Sequence, residues 1–189
     1  MRPGDEADAM GDAELVFRFK EGEKSAFEDL VRRYMKEAYA FCLRLTHDAA
    51  EAEELSQQGF LSAYRSLERF RGDSTFRSWL YRILINLNRD RVRRRRRAEA
   101  RLAAIREEAR YRPAAPGEES AVRAAELEGV VRARIERLPD RQREVLVLHV
   151  YQGLPYTEIA QVLGCSYDDV KMNLSLARRR LREELKEYL

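Results

Sequence analysis

The stretch YTEIAQVLGCSYDDVKMNLSLARRRL, residues 156–181, decides the fold. Two helices that cross within one tight turn need a small residue at the crossing, and Ala160 supplies it. They need glycine at the turn, here Gly164, and a buried branched residue six positions on, here Val170. Ile159 and Leu163 fill the inner face of the first helix, and Val170, Leu174, Ala177 and Leu181 that of the second. Ser166, followed three residues later by Asp169, reads as a capping box opening the second helix. Spacing and residue type together specify a helix-turn-helix, against the plainer reading of a helical hairpin in a bundle. The basic cluster Arg178, Arg179, Arg180 and Arg182 follows the helix that would enter a major groove, which favours DNA.

Helical patterns continue on both sides. After residue 120 they run over about 121–137, 140–151, 156–163 and 167–187, punctuated by Pro139 and Pro155 and turned at Gly153 and Gly164. Upstream, YRPAAPGEES (111–120) has two prolines, a glycine and no periodicity, which predicts a linker. Before it, Phe27, Leu30, Val31, Tyr34, Ala38, Phe41, Cys42 and Leu45 form one stripe of a helix over about 24–46. Asp48 with Glu51 reads as a second capping box, opening a helix whose stripe is Ala52, Leu55, Gly59, Phe60, Ala63, Tyr64 and Leu67. A break at 71–74 precedes a helix carrying Phe76, Trp79, Leu80, Ile83, Leu84 and Leu87, and a short helix over about 12–21 stands before them all. No alternating apolar and polar stretch is long enough for a strand. The expected fold is all-α: a disordered N-terminus (1–11), a helical domain (12–110), a linker (111–121) and a second helical domain (122–189).

Composition narrows the function. The 189 residues suffice for one ordinary domain or two small ones. Lys+Arg at 36 against Asp+Glu at 33 leaves a formal charge of only +3, which conceals strong segregation. Residues 89–97, RDRVRRRRR, hold seven arginines, a sequence-independent phosphate anchor or else a solvated helix face. The nearby aromatics Phe70, Phe76, Trp79 and Tyr81 favour the first reading, since single strands stack on aromatic faces beside a cationic track. Residues 46–68 carry five acidic residues and one basic, and so suit a protein partner rather than DNA. The longest run without a charge, 145–157, is too short to span a bilayer, and the acidic N-terminus is no secretory signal. With only Cys42 and Cys165, the reading is a reduced, cytoplasmic protein. His47 and His149 lack metal-ligand spacing, and no phosphate-cradling glycine loop or nucleophile elbow occurs. No catalysis, cofactor, metal or small-molecule substrate is expected.

The order of parts strongly resembles bacterial RNA polymerase sigma factors of the extracytoplasmic-function group, over roughly residues 12–188. DAAEAEELSQQGFLSAYRSLERF resembles the family's region 2.2, which docks on the β′ subunit of core polymerase. The resemblance implies that Leu55, Gln57, Gln58 and Phe60 bind polymerase, surrounded by Glu51, Glu53 and Glu54. FRGDSTFRSWLYRILINLNRDRVRR resembles regions 2.3 and 2.4, with the family's residues at Trp79-Leu80, Ile83, Asn86 and Asp90. It implies a base-capturing loop over Phe70, Arg71, Asp73, Ser74 and Thr75, and a minus-10 strand held by Asn86, Arg89, Asp90, Arg93 and Arg94. Trp79 is read as core packing ahead of base stacking. LPDRQREVLVLHVYQGLPYTEIAQVLGCSYDDVK resembles region 4, which reads the minus-35 element. Partners implied are the β′ and β subunits, promoter DNA and an anti-sigma protein that is commonly membrane-linked. The competing reading is a two-domain helix-turn-helix regulator that never touches polymerase.

With Val170 as the buried reference at about 100° per residue, Lys171, Met172, Ser175, Leu176 and Arg179 fall on the opposite arc. The expectation is that Lys171 and Ser175 read base edges, Met172 and Leu176 pack on thymine methyls, and Arg178 and Arg179 meet phosphate. Thr157 and Ser166 complete the expected minus-35 set.

Overall fold

The computed structural model describes residues 11–107, 123–186 and 188. The expected linker at 111–121 and all but Gly11 of the expected disordered N-terminus lie outside the described residues. A first lobe consists of α1 (Asp12–Lys20), α2 (Ala26–Thr46), α3 (Ala49–Ser66), a 3-10 turn (Leu67–Arg69) and α4 (Phe76–Glu107). A second holds α5 (Arg123–Glu136), α6 (Asp140–Leu146), a π turn (Val147–Tyr151), α7 (Tyr156–Leu163) and α8 (Tyr167–Glu184). No strand occurs among the described residues, and none of their helices is long and apolar enough to cross a membrane.

In the first lobe the stripe of α2 goes inward: Phe27, Leu30, Ala38, Phe41, Cys42 and Leu45 are buried, Val31 and Tyr34 half-buried. The helix ends at His47, whose left-handed φ of 59° lets its N–H reach the Leu43 carbonyl at 2.8 Å. Asp48 then caps α3 by accepting the Glu51 N–H at 2.8 Å. The reciprocal half of the expected capping box does not form. Asp48 donates its N–H to Thr46 Oγ1 at 3.4 Å, and the Glu51 carboxylate pairs with Arg91 of α4. A charged guanidinium outcompetes a backbone amide for a carboxylate once α4 passes close by. The passage is close because of Gly59, where a Cβ would come within 2.3 Å of Leu84 Cδ2.

The front half of α4 buries Phe76, Leu80, Tyr81, Leu84 and Ile85, with Tyr81 and Phe41 ring centroids 4.6 Å apart. Beyond Val92 the helix leaves the core, and residues 93–101 are exposed. Arginine is a good helix former, and the Asp90–Arg93 and Arg95–Glu99 pairs support the exposed turns.

In the second lobe Val145, Leu148, Ile159, Val162, Val170, Leu174 and Ala177 form the buried centre, and Gly164 turns the chain at φ 62°. The helix expected over 140–151 changes at Val147 to a π turn. The wider turn keeps Val147 and Leu148 buried while leaving Val150 and Tyr151 outside. The lobes meet where α4 packs on α7 and α2 on the π turn.

Candidate nucleic-acid interface

The helix-turn-helix is built as its spacing predicts. Ser166 accepts the Asp169 N–H at 3.1 Å, and Asp169 Oδ2 accepts the Ser166 N–H at 3.1 Å and its hydroxyl at 2.7 Å. Those bonds hold the Asp169 carboxyl below the usual aspartate value. They also commit the Ser166 hydroxyl to the cap. Lys171, Met172, Ser175, Arg178 and Arg179 stand exposed along α8, as does Thr157 at the start of α7, while Leu176 is half-buried. Asn173 turns back on its own helix, donating to the Asp169 carbonyl at 2.8 Å.

Tyr167 escaped the sequence reading. It is the first residue of α8, half exposed, with its ring 5.6 Å from Tyr156, which in turn meets His149 edge-on at 5.0 Å. A large aromatic just after the cap and off the apolar stripe was the available signal, because the first turn of such a helix points into the groove.

In the first lobe, the segment Phe70–Thr75 joins the 3-10 turn to α4. Thr75 caps α4, its hydroxyl accepting the Ser78 N–H at 3.1 Å, so it is held by the helix start. Trp79 is half-buried between Phe70 (4.9 Å) and Phe76 (5.8 Å). Lys20 Nζ donates to the Phe70 carbonyl, tying α1 to the loop. Two clefts flank Phe70: one of about 450 Å³ against Val16, Phe17, Lys20 and Phe76, the other of about 330 Å³ against Arg71, Asp73, Trp79 and Arg82. Both are in the size range of small-ligand pockets. Phe17, 57% exposed, is a second residue the sequence reading passed over; it lies off the buried row Leu15, Val16 and Phe19 of α1.

Along α4, Asn86, Asp90, Arg93 and Arg94 are exposed, with Asp90 paired to Arg93. Arg89 is placed differently. Its Nε and Nη2 donate to the Glu144 carboxylate of the second lobe at 2.8 and 2.6 Å, and that carboxylate is almost fully buried. The bond to Glu144 raises the guanidinium above its usual value, against the opposing effect of burial. Seven residues to either side, Arg82 donates to the Gln161 carbonyl at 2.6 Å and Arg96 to Asp140 at 2.9 Å. Ser78 donates to Glu158 at 2.6 Å and Tyr81 to Gln152 Oε1 at 2.7 Å across the same seam.

The acidic helix α3 presents Glu53, Glu54, Gln57 and Gln58 to solvent, with amide-to-carboxylate bonds of 3.2 and 2.9 Å between them. Leu55 and Phe60, expected on the partner face, are instead core residues at 2% and 5% exposure, because the stripe at 52, 55, 59, 60 and 63 turns inward. Glu51 is engaged with Arg91. Leu61, 57% exposed, follows Glu54, Gln57 and Gln58 on the outer face and is its apolar element. Cys42 is buried and its thiol is pushed up to about 12 by desolvation, which leaves it unreactive near neutral pH. Among the described residues no three His, Cys, Asp or Glu side chains cluster as a metal site.

Comparison with known proteins matches the two lobes separately. Residues 30–98 fit the model of Sigma-70 region 2, and residues 128–181 that of Sigma-70 region 4. The chain is 36% identical to the RNA polymerase sigma-H factor of Pseudomonas aeruginosa, over 94% of this chain and 95% of that protein. It is 33% identical to the ECF RNA polymerase sigma factor SigW of Bacillus subtilis, over 91% and 95%. Among solved structures, CnrH in complex with the cytosolic domain of CnrY superposes with a TM-score of 0.70 at 28% identity, covering 93% of this chain and 97% of that one. With both regions matched in order and full-length relatives above 30% identity, the chain belongs to the extracytoplasmic-function group of the sigma-70 family.

Proposed function

We propose that the chain binds core RNA polymerase and directs initiation at promoters carrying matched minus-10 and minus-35 elements. The observation that carries this is the capped recognition helix α8, whose outward row Lys171, Met172 and Ser175 stands clear of the protein with Arg178 and Arg179 beside it. Lys171 and Ser175 read base edges, Met172 packs on thymine methyls and the arginines take phosphate. The Phe70–Thr75 segment, with an open cleft on each side of Phe70, receives an extruded base of the minus-10 strand, while Asn86, Arg93 and Arg94 follow its backbone. Trp79 supports that loop through its packing on Phe70.

The exposed face Glu53, Glu54, Gln57, Gln58 and Leu61 docks on the polymerase β′ subunit, and the second lobe meets the β subunit. Leu55 and Phe60 act indirectly, by fixing the rotation of α3. We further propose cytoplasmic location and control by an anti-sigma protein, in keeping with the similar CnrH structure, which is a complex with the cytosolic domain of CnrY. No step requires a catalytic residue.

Run-off transcription with purified core polymerase tests the assignment. The chain is expected to yield a discrete promoter-dependent transcript, and Glu53→Lys with Glu54→Lys to abolish it with unchanged circular dichroism. DNA binding that core polymerase neither requires nor strengthens, with no transcript, identifies a stand-alone regulator instead.

A further inference from the structure

A cavity of about 350 Å³ lies between α4 and α6, with Leu45 and Val92 as its apolar lining. Arg89, Arg93 and Arg96 reach it from one face of α4, at the four- and three-residue steps of a helix, and Arg141 and Arg143 reach it from α6. Among the described residues only two carboxylates line it with them, Asp140 and Glu144. Each is shared between two guanidiniums. Asp140 lies 2.9 Å from both Arg96 and Arg143, and Glu144 lies 2.6 Å from Arg89 and 3.6 Å from Arg141. Arg93 pairs with Asp90 outside the cavity, an exposed contact that offsets little of its charge. The lining thus carries three more positive than negative groups. Like charges gathered in a partly dry space repel one another unless an anion joins them.

Asn88 adds an uncharged donor to the same lining. It is 6% exposed and makes no side-chain hydrogen bond to any described residue. A buried amide without a partner costs free energy, so something belongs opposite it. Arg143 Nε is likewise buried with no partner among the described residues. Forked guanidiniums together with an amide N–H form a donor set suited to phosphate oxygens.

We propose that this cavity binds a diphosphate group, free or at the end of a nucleotide, which bridges α4 and α6. A single phosphate ester carries about −1.5 to −2 charges near neutral pH, short of the surplus, and a second phosphate supplies the remainder. The volume stands at the lower end of the roughly 300–1,000 Å³ of ordinary ligand sites, which suits a small anion rather than a polymer. Asp140 and Glu144 keep their places, because a guanidinium has five N–H donors and can hold a carboxylate and a phosphate together. Asn88 donates to a phosphate oxygen and fixes the anion beside α4. The site does not depend on α4 meeting a promoter strand.

Isothermal titration calorimetry of the full chain with sodium pyrophosphate, inorganic phosphate and ADP tests the site, at about 0.15 M ionic strength to screen diffuse attraction. Pyrophosphate is expected to bind at a single site per chain, on the order of ten-fold tighter than inorganic phosphate, the gain of further charge-assisted contacts. ADP binding as tightly as pyrophosphate identifies the end of a nucleotide and much weaker ADP binding the free anion, and either supports the site. Asn88→Leu removes the amide at similar volume and should weaken pyrophosphate about ten-fold. Asn88→Asp supplies the missing negative charge in the same shape. It should abolish pyrophosphate binding and raise the melting temperature of the ligand-free chain, which a merely misfolded variant cannot do. Arg101→Gln removes an exposed charge farther along α4, outside the cavity, and should change the affinity less than about two-fold. Pyrophosphate that binds no tighter than phosphate overturns the proposal. So does an Arg101→Gln loss as large as that of Asn88→Leu, or an Asn88→Asp chain that still binds pyrophosphate or melts at a lower temperature.

Discussion

Helices α4 and α8 both carry arginines that sequence spacing turns outward, yet only one keeps its outward row free. On α8 the polar groups near the N-terminus satisfy one another: Ser166 and Asp169 close a capping box and Asn173 folds back, leaving Lys171, Met172 and Ser175 bare. On α4 two of the arginines, Arg89 and Arg96, find partners from another lobe, Glu144 and Asp140, while Arg93 and Arg94 stay exposed. Direction on a helix is a local property, while exposure is a tertiary one. A guanidinium on a long side chain is the group for which the two diverge most.

The largest expected effect separates the lobes as folding units. Leu84 and Leu174 are equally deep, and truncation of either to alanine is expected to cost about 2–5 kcal/mol. The single tryptophan, Trp79, reports the first lobe alone. Leu84→Ala should therefore shift the urea midpoint seen by Trp79 fluorescence, while Leu174→Ala shifts far-UV circular dichroism and leaves the Trp79 midpoint in place. If both variants move both probes together, the lobes melt as one unit and the seam binds them as firmly as a shared core.

A contrast of sign comes next. Gly59 and Gly129 both lie inside helices, but a Cβ at Gly59 meets Leu84 while one at Gly129 meets nothing within 4 Å. Gly59→Ala is expected to destabilise by about 1–3 kcal/mol through overpacking. Gly129→Ala is expected to stabilise by about 0.5–1 kcal/mol through helix propensity. Thermal denaturation of the two variants decides it, and equal signs would break the contrast.

The local chemistry of the chain was readable and its long-range chemistry was not. The stripe at 27–45, the box at Ser166 and Asp169, and the turn at Gly164 each depend on neighbours within a few residues, so periodicity reveals them. Leu55 and Phe60 lie in the segment that resembles the polymerase-binding region, yet their place on the apolar stripe turns them inward, and the helical period is the better guide to their burial. Glu51 and Arg89 could not be read, because their partners Arg91 and Glu144 lie 40 and 55 residues away. Leu61, Phe17 and Tyr167 carried a fainter signal, a large apolar group off the stripe that exposure turns into a candidate contact.

On DNA, α8 should split into reading and anchoring residues. Lys171→Ala is expected to cost about 1–3 kcal/mol at one base position, whereas Arg179→Ala weakens all sequences alike and flattens the salt slope. Selection from a randomised minus-35 library measures both. The same consensus from Lys171→Ala, Met172→Ala and the unmodified chain would refute the division.

The smallest effect compares the two helix caps. Asp48 closes only half a box, since Glu51 is drawn to Arg91, whereas Ser166 and Asp169 close both halves. Replacing either cap by alanine is expected to cost about 1 kcal/mol, so stability alone hardly tells them apart. Acid does. The Asp169 carboxyl is held below its ordinary value, first by the Ser166 hydroxyl and then by the Ser166 N–H. A carboxyl lowered by folding contributes stability above its unfolded value, and that contribution is lost as pH falls through the folded one. Ser166→Ala removes the hydroxyl and keeps the N–H, so the Asp169 titration should move up toward the ordinary aspartate range without reaching it. Carbon-13 NMR of the side-chain carboxyl follows this directly at a single residue, even where the energy is too small for melting curves. Asp48→Ala, on another helix in the other lobe, should leave the Asp169 midpoint where it is. An Asp169 midpoint unmoved by Ser166→Ala would mean that the helix N-terminus, not the reciprocal cap, sets that carboxyl, and the two helix starts would then be equivalent.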